Sequence, residues 1–278
     1  MIDADVHPLK PRPLLRSSLV LLAVLAAVVA AAWAVVAVRA GATRRGIEIV
    51  RRLQEQGLPQ LLGSQPQVRA YRVTEPQSAR GWRLIRVEPA PKGYAGLAAE
   101  KLQDGKRAYQ AEERWRATDN LSRVEYEATD DMATRRGVSI LLTAQSVTNR
   151  TVTVIMAQGS EGISGKGPAP DNYVPEGMLP LAIRLAAEGG EPANITMILN
   201  NEALRPTARG VYEPNFTPAQ IRPRSGGQVE IKIAGSTQTY TLNDSGQIIH
   251  IRHDSGLEYS AVPVEELRKN FDISQFLR

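Results

Sequence analysis

From Val68 onward the apolar positions recur every second residue, which is the period of a strand with one buried face. Tyr109, Ala111, Trp115 and Ala117 alternate with Gln110, Glu112, Arg114 and Arg116, and Val124, Tyr126 and Ala128 alternate with Arg123, Glu125 and Glu127. The same phase returns in Val138, Ile140 and Leu142, in Val152, Val154 and Met156, and in Ile195, Met197 and Leu199. It is clearest in Val229, Ile231 and Ile233, followed by Tyr240 and Leu242. Two turn sequences, Asn243-Asp244-Ser245-Gly246 and His253-Asp254-Ser255-Gly256, bracket a strand over Gln247 to Arg252, so this end reads as an antiparallel meander. Two segments break the period. Gln158 to Asn172 is rich in Gly and Pro and reads as a long loop. Pro175 to Ala187 (PEGMLPLAIRLAA) reads as a short apolar helix lying against the sheet. A last helix is predicted from Pro263 to Asn270, with Glu265 and Glu266 in its first turn. The fold class expected is mainly β: a large curved antiparallel sheet, a half-barrel of about nine to eleven strands, with one or two short covering helices.

The N-terminal region follows a different rule. Leu19 to Val38 is an uncharged run of Leu, Val and Ala with Trp33, long enough as a helix to cover about 30 Å, the thickness of a bilayer core. A soluble helix is rarely apolar on every side for so long. Val38-Arg39-Ala40 resembles a leader cleavage site, but the run exceeds the apolar core of a signal peptide, so a retained single-pass transmembrane helix is expected. Beyond it, Ile47, Val50 and Leu53 recur at helical spacing until Gly57 and Pro59, and their neighbouring arginines suit either lipid headgroups or a solvated stalk. The domains expected are a cytoplasmic tail over 1–16, the transmembrane helix over 17–40, a juxtamembrane helix and linker over 41–67, and an extracytoplasmic β-domain over 68–278. Five arginines follow the span closely, which alone favours an internal domain, whereas the short basic leader with Lys10, Arg12 and Arg16 is the arrangement of an exported one. The latter fixes the expected location: inner (cytoplasmic) membrane, with the large domain in the periplasm.

Charge narrows the partners. The net charge is +5, and residues 1–52 alone carry eight basic groups against three acidic ones, so residues 53–278 balance. A nucleic-acid-binding domain needs surplus positive charge of its own, and nucleic acid is excluded as a partner. The absence of cysteine removes disulfides, thiolate metal sites and a cysteine nucleophile.

Candidate chemistry is sparse. His7 belongs to the leader, and His250 and His253, three apart on a strand, point to opposite faces, so joint metal ligation is not expected. Ser160 to Gly167 (SEGISGKG) is loosely like a phosphate-binding loop but is followed by Pro168 and Pro170 where a helix should start. Neither G-x-S-x-G nor S-x-x-K occurs. The carboxylate pairs Glu112-Glu113 and Asp130-Asp131 read as solvated strand ends. No catalytic residue, metal or cofactor is expected. Tyr109, Trp115, Tyr126, Met178, Leu179 and Ile183 are the candidates to line an apolar cavity between the sheet and its helix, the alternative being plain core.

The segments Pro170 to Ala187 (PDNYVPEGMLPLAIRLAA) and Thr239 to Ile251 (TYTLNDSGQIIHI) resemble the unclosed barrel of the bacterial lipoprotein-localisation-factor superfamily. The resemblance implies a bowed sheet whose concave face binds acyl chains. The chain departs from the carrier pattern in keeping an anchor and lacking a lipobox cysteine. The function expected is a non-catalytic, membrane-anchored envelope protein that binds an apolar ligand, lipid or lipoprotein. The alternatives are a scaffold for an envelope protein partner and a hydrolase with a dispersed site.

Overall fold

The computed structural model describes residues 14–74, 80–104, 107–131, 136–146, 148–158 and 161–277. The leader with His7, Lys10 and Arg12, and Ser160, lie outside the described residues, as do the side chains of Asp130 and Asp131. Contacts divide the chain into two compact units, residues 1–41 and 42–278.

In the first unit, helix α1 (Leu14–Leu62) begins. Its described apolar side chains, Leu22 to Val38, are exposed all round, and it is long and apolar enough to cross a membrane. So much uncompensated apolar surface is favourable only in an apolar medium, which makes this a membrane-associated β-rich protein.

The second unit takes in the rest of α1. The helix breaks at Gly57 (φ 70°, ψ 163°), a backbone conformation that only glycine adopts without strain, and resumes for one turn after Pro59. This part is neither stalk nor linker. Ile49, Val50, Leu53, Leu58 and Leu61 are buried in the main core. Among the arginines of this stretch, Arg52 pairs with Glu188 at 3.0 Å and Arg45 with Glu191, both within the unit.

Sixteen strands form one open sheet. They are β1 (Gln67–Thr74), β2 (Arg80–Ala90), β3 (Gly93–Asp104), β4 (Arg107–Ala117), β5 (Arg123–Asp131), β6 (Arg136–Ala144), β7 (Arg150–Gln158) and β8 (Glu161–Pro168). Helix α2 (Leu179–Gly189) follows, then β9 (Ala193–Met197), β10 (Leu204–Pro206), β11 (Tyr212–Pro214) and β12 (Thr217–Pro223). The chain ends with β13 (Gln228–Ile233), β14 (Ser236–Leu242), β15 (Ile248–His253), β16 (Glu258–Val262) and helix α3 (Val264–Asn270). Strands β1 to β8 form one antiparallel meander and β12 to β16 another, and the two join where β1 pairs with β16. The edges are β10 and β9.

The mainly β expectation holds, with more strands than the alternation revealed. The loop expected over 158–172 is corrected: Glu161 to Pro168 pairs with β7 from Gln158↔Glu161 to Thr151↔Pro168. Gly165-Lys166 is therefore strand backbone, with no helix behind it to cradle a phosphate.

The inner face of the sheet carries the main core, shared with α2 and the buried turns of α1. Ala182, Ile183, Leu185 and Ala186 bury one side of α2, Pro180 sits in its first turn, and left-handed Gly190 ends it. The outer face is also covered at β1 to β3. There Ala70, Trp82, Leu84 and Ala99 pack under Leu267, Ile273 and Phe276, with the Trp82 and Phe276 rings 5.4 Å apart.

Candidate ligand-binding cavity

Between the inner face and α2 lies a cavity of about 400 Å³. Ile85, Val87, Leu179, Ile183, Ile231 and Ile233 give it apolar walls. Trp115 forms another part of the wall, fitted closely: a β-carbon at Gly96 or Gly177 would run into its indole.

Of the residues expected to line such a cavity, Trp115, Leu179 and Ile183 do so. Tyr126 and Met178 are buried in the core and Tyr109 is exposed, all three outside the lining. Tyr126 nonetheless acts on the lining, because its hydroxyl donates to Glu176 Oε2 (3.2 Å) and accepts from Asn200 Nδ2 (3.1 Å).

The cavity also holds charge that the alternation pattern does not announce. Arg83 points inward with Ile85 and Val87, while Trp82 and Leu84 point outward. Its two terminal nitrogens reach different carboxylates, Nη1 to Glu100 Oε2 and Nη2 to Glu113 Oε1, each at 3.2 Å. The Tyr259 hydroxyl donates to Glu100 at 3.2 Å. Glu112 and Glu113 thus part company, one bonded to Arg114 outside and one facing the cavity, and the reading of both as solvated strand ends is corrected.

Burial alone would lower the Arg83 pKa, but Glu113 and Glu100 more than offset it and hold the proton firmly. Burial raises Glu100, with Arg83 opposing. Burial, then the charges of Glu176 and Glu113, push Tyr126 well up. Tyr240 also rises, chiefly by burial, with Arg83 opposing and both carboxylates adding. Tyr240 donates to Gln238 at 2.6 Å and Tyr71 to the Ile248 carbonyl at 3.0 Å.

The two histidines of β15 separate as the strand period requires. His250 lies 3.7 Å from Glu258, while His253 lines the cavity with its ring 5.5 Å from that of Tyr259. Burial and then Arg83 lower the His253 pKa. Among the described residues no group of three or more His, Cys, Asp or Glu side chains converges as metal ligands.

No family model and no curated protein matches the chain. Among solved structures, a porin-like protein from Bacteroides uniformis is similar over 74% of this chain and 97% of its own, at 10% identity and a TM-score of 0.23. So loose a likeness carries no argument about function, and it does not show membership of the lipoprotein-localisation-factor superfamily.

Proposed function

We propose that the protein is a non-catalytic, membrane-anchored envelope protein whose half-barrel takes up an apolar or amphipathic molecule, a lipid or the lipid part of a lipoprotein. The reading rests on the cavity: about 400 Å³ between the inner sheet face and α2, apolar-walled, within the usual size of a small-molecule site. The uncharged helix Leu22 to Val38 supports anchoring, because its apolar side chains are exposed among the described residues. The basic residues Lys10, Arg12 and Arg16 ahead of the helix suit a domain outside the cytoplasm.

The test is extraction of the full chain from membranes into nanodiscs, followed by mass spectrometry of what the protein retains beyond empty nanodiscs. The expected result is one apolar species in near-equal amount to protein, displaced by an apolar fluorophore. Leu179→Trp, which fills the cavity from α2, should abolish both signals. A protein that retains nothing and leaves the fluorophore unbound would overturn the reading.

A further inference from the structure

Charge in the cavity is separated across the sheet, and the separation identifies the polar end of what enters. The lining carboxylates stand on the β4 side and are engaged there. Arg83 takes Glu113, which lies on β4, and Glu100 behind it, each at 3.2 Å. Glu176 precedes Gly177, which lies on Trp115 of the same strand, and accepts from the Tyr126 hydroxyl. The β1 side is different. It is framed by the last turn of α1, by Gln67 and Arg69 of β1, by Arg184 of α2, and by the turn between β14 and β15, whose Ser245 and Gln247 are exposed to solvent. These parts are tied together. Gln67 donates to the Leu62 carbonyl, Arg184 donates to the Leu61 carbonyl at 3.3 Å, and a β-carbon at Gly246 would touch the Arg184 side chain.

Arg184 on this side has a counter-ion, Glu188 at 3.1 Å. Arg69 does not. It is half-buried, and among the described residues its bonds go to neutral groups, the Gln67 carbonyl oxygen at 3.2 Å and the Tyr71 phenol. Register keeps it from Glu113: on the inner face Arg69 stands opposite Ile85, Ile85 opposite Ala98 and Ala98 opposite Glu113, three strand spacings of about 4.8 Å each. A half-buried guanidinium loses water that a neutral amide oxygen replaces only in part, and it has more donors than these bonds use. Its planar fork fits a carboxylate or a phosphate, with charge-assisted hydrogen bonds. The apolar wall begins beside it, since Ile85 is its partner across the strands and Val87 is the partner of Gln67.

We propose, on the basis of the cavity reading above, that the ligand is an acidic amphiphile whose carboxylate or phosphate head is seated on the Arg69 guanidinium at the solvent-facing β1 side, with its apolar body along Ile85, Val87, Ile231 and Ile233.

The test compares octanoate, octyl phosphate, octanol and octylamine, equal in chain length and different in head group, by calorimetric titration of the full chain in phosphatidylcholine nanodiscs with empty nanodiscs subtracted. At about pH 7 the carboxylate and the amine are both ionised. At least one of the two acidic probes should bind about tenfold more tightly than octanol, the size of one charge-assisted contact, with octylamine weakest; the tighter of the two names the head group. In Arg69→Gln the ratio of that probe's affinity to that of octanol should fall about tenfold, and Arg69→Lys, which keeps the charge without the fork, should fall between. The ranking in the unmodified protein decides the matter even where a variant fails to fold. If octanol binds and neither acidic probe binds more tightly, if octylamine binds best, or if a folded Arg69→Gln keeps the ratio, the acidic-head assignment is overturned while the cavity reading stands. If none of the four binds, octanol included, both fall together.

Discussion

Arg83 holds two carboxylates at once, and its replacement exposes how much the inner face depends on one side chain. Arg83→Met leaves Glu100 and Glu113 facing each other without a cation, and is expected to cost about 3 kcal/mol, read from the urea midpoint. His253 gives the pH dependence. Its folded pKa lies below the ordinary 6.5, so the unfolded imidazole takes up a proton before the folded one does. The stability it contributes is full above about pH 6.5 and is lost as the pH falls through the folded value. His253→Gln should therefore flatten the decline of the melting temperature between pH 7 and pH 5. These groups were partly legible in the sequence. Glu113 falls in the apolar phase of its strand, between Ala111 and Trp115, and Arg83 falls in phase with Ile85 and Val87. A charge in the apolar phase is the readable mark of a polar group turned inward. What no spacing shows is that Glu100, Glu113 and Tyr259 meet, because that needs the register of three strands and of β16.

At the scale of elements, the alternation failed where both faces of a strand are covered. In β2 the apolar Trp82 and Leu84 pack under the C-terminal helix while Ile85 and Val87 line the cavity, so no polar phase is left to mark the strand. In β8 the glycines and the proline that signal a loop occupy a strand near one end of the sheet, where β7 satisfies their backbone. The inner turns of α1 failed for another reason. Their apolar stripe was visible, but a sequence does not say which surface a stripe meets, and it meets the core. Leu53→Ala is therefore expected to destabilise the whole β unit by about 3 kcal/mol in a urea titration, where a stalk would lose nothing. A chain starting at Ala42 should melt as the full chain does, and one starting at Val68, without Leu53, Leu58 and Leu61, should not fold.

For the whole molecule, orientation across the membrane is open to a direct measurement, because the chain has no cysteine to interfere. Lys101→Cys places a thiol on an exposed position of β3, and a membrane-impermeant maleimide should label it in intact spheroplasts if the β unit lies outside. The resemblance to an unclosed barrel anticipated the open sheet but not its seam. Ala70 of the first strand faces Val262 of the last, so the middle of the sheet is built from the two extremes of the β unit. With about 190 residues between them, and synthesis at about 5–20 residues per second, one flank of β1 waits roughly 10–40 s for its neighbour. Throughout that interval the nascent protein presents an unzipped ribbon to its surroundings, a ready template for stray annealing.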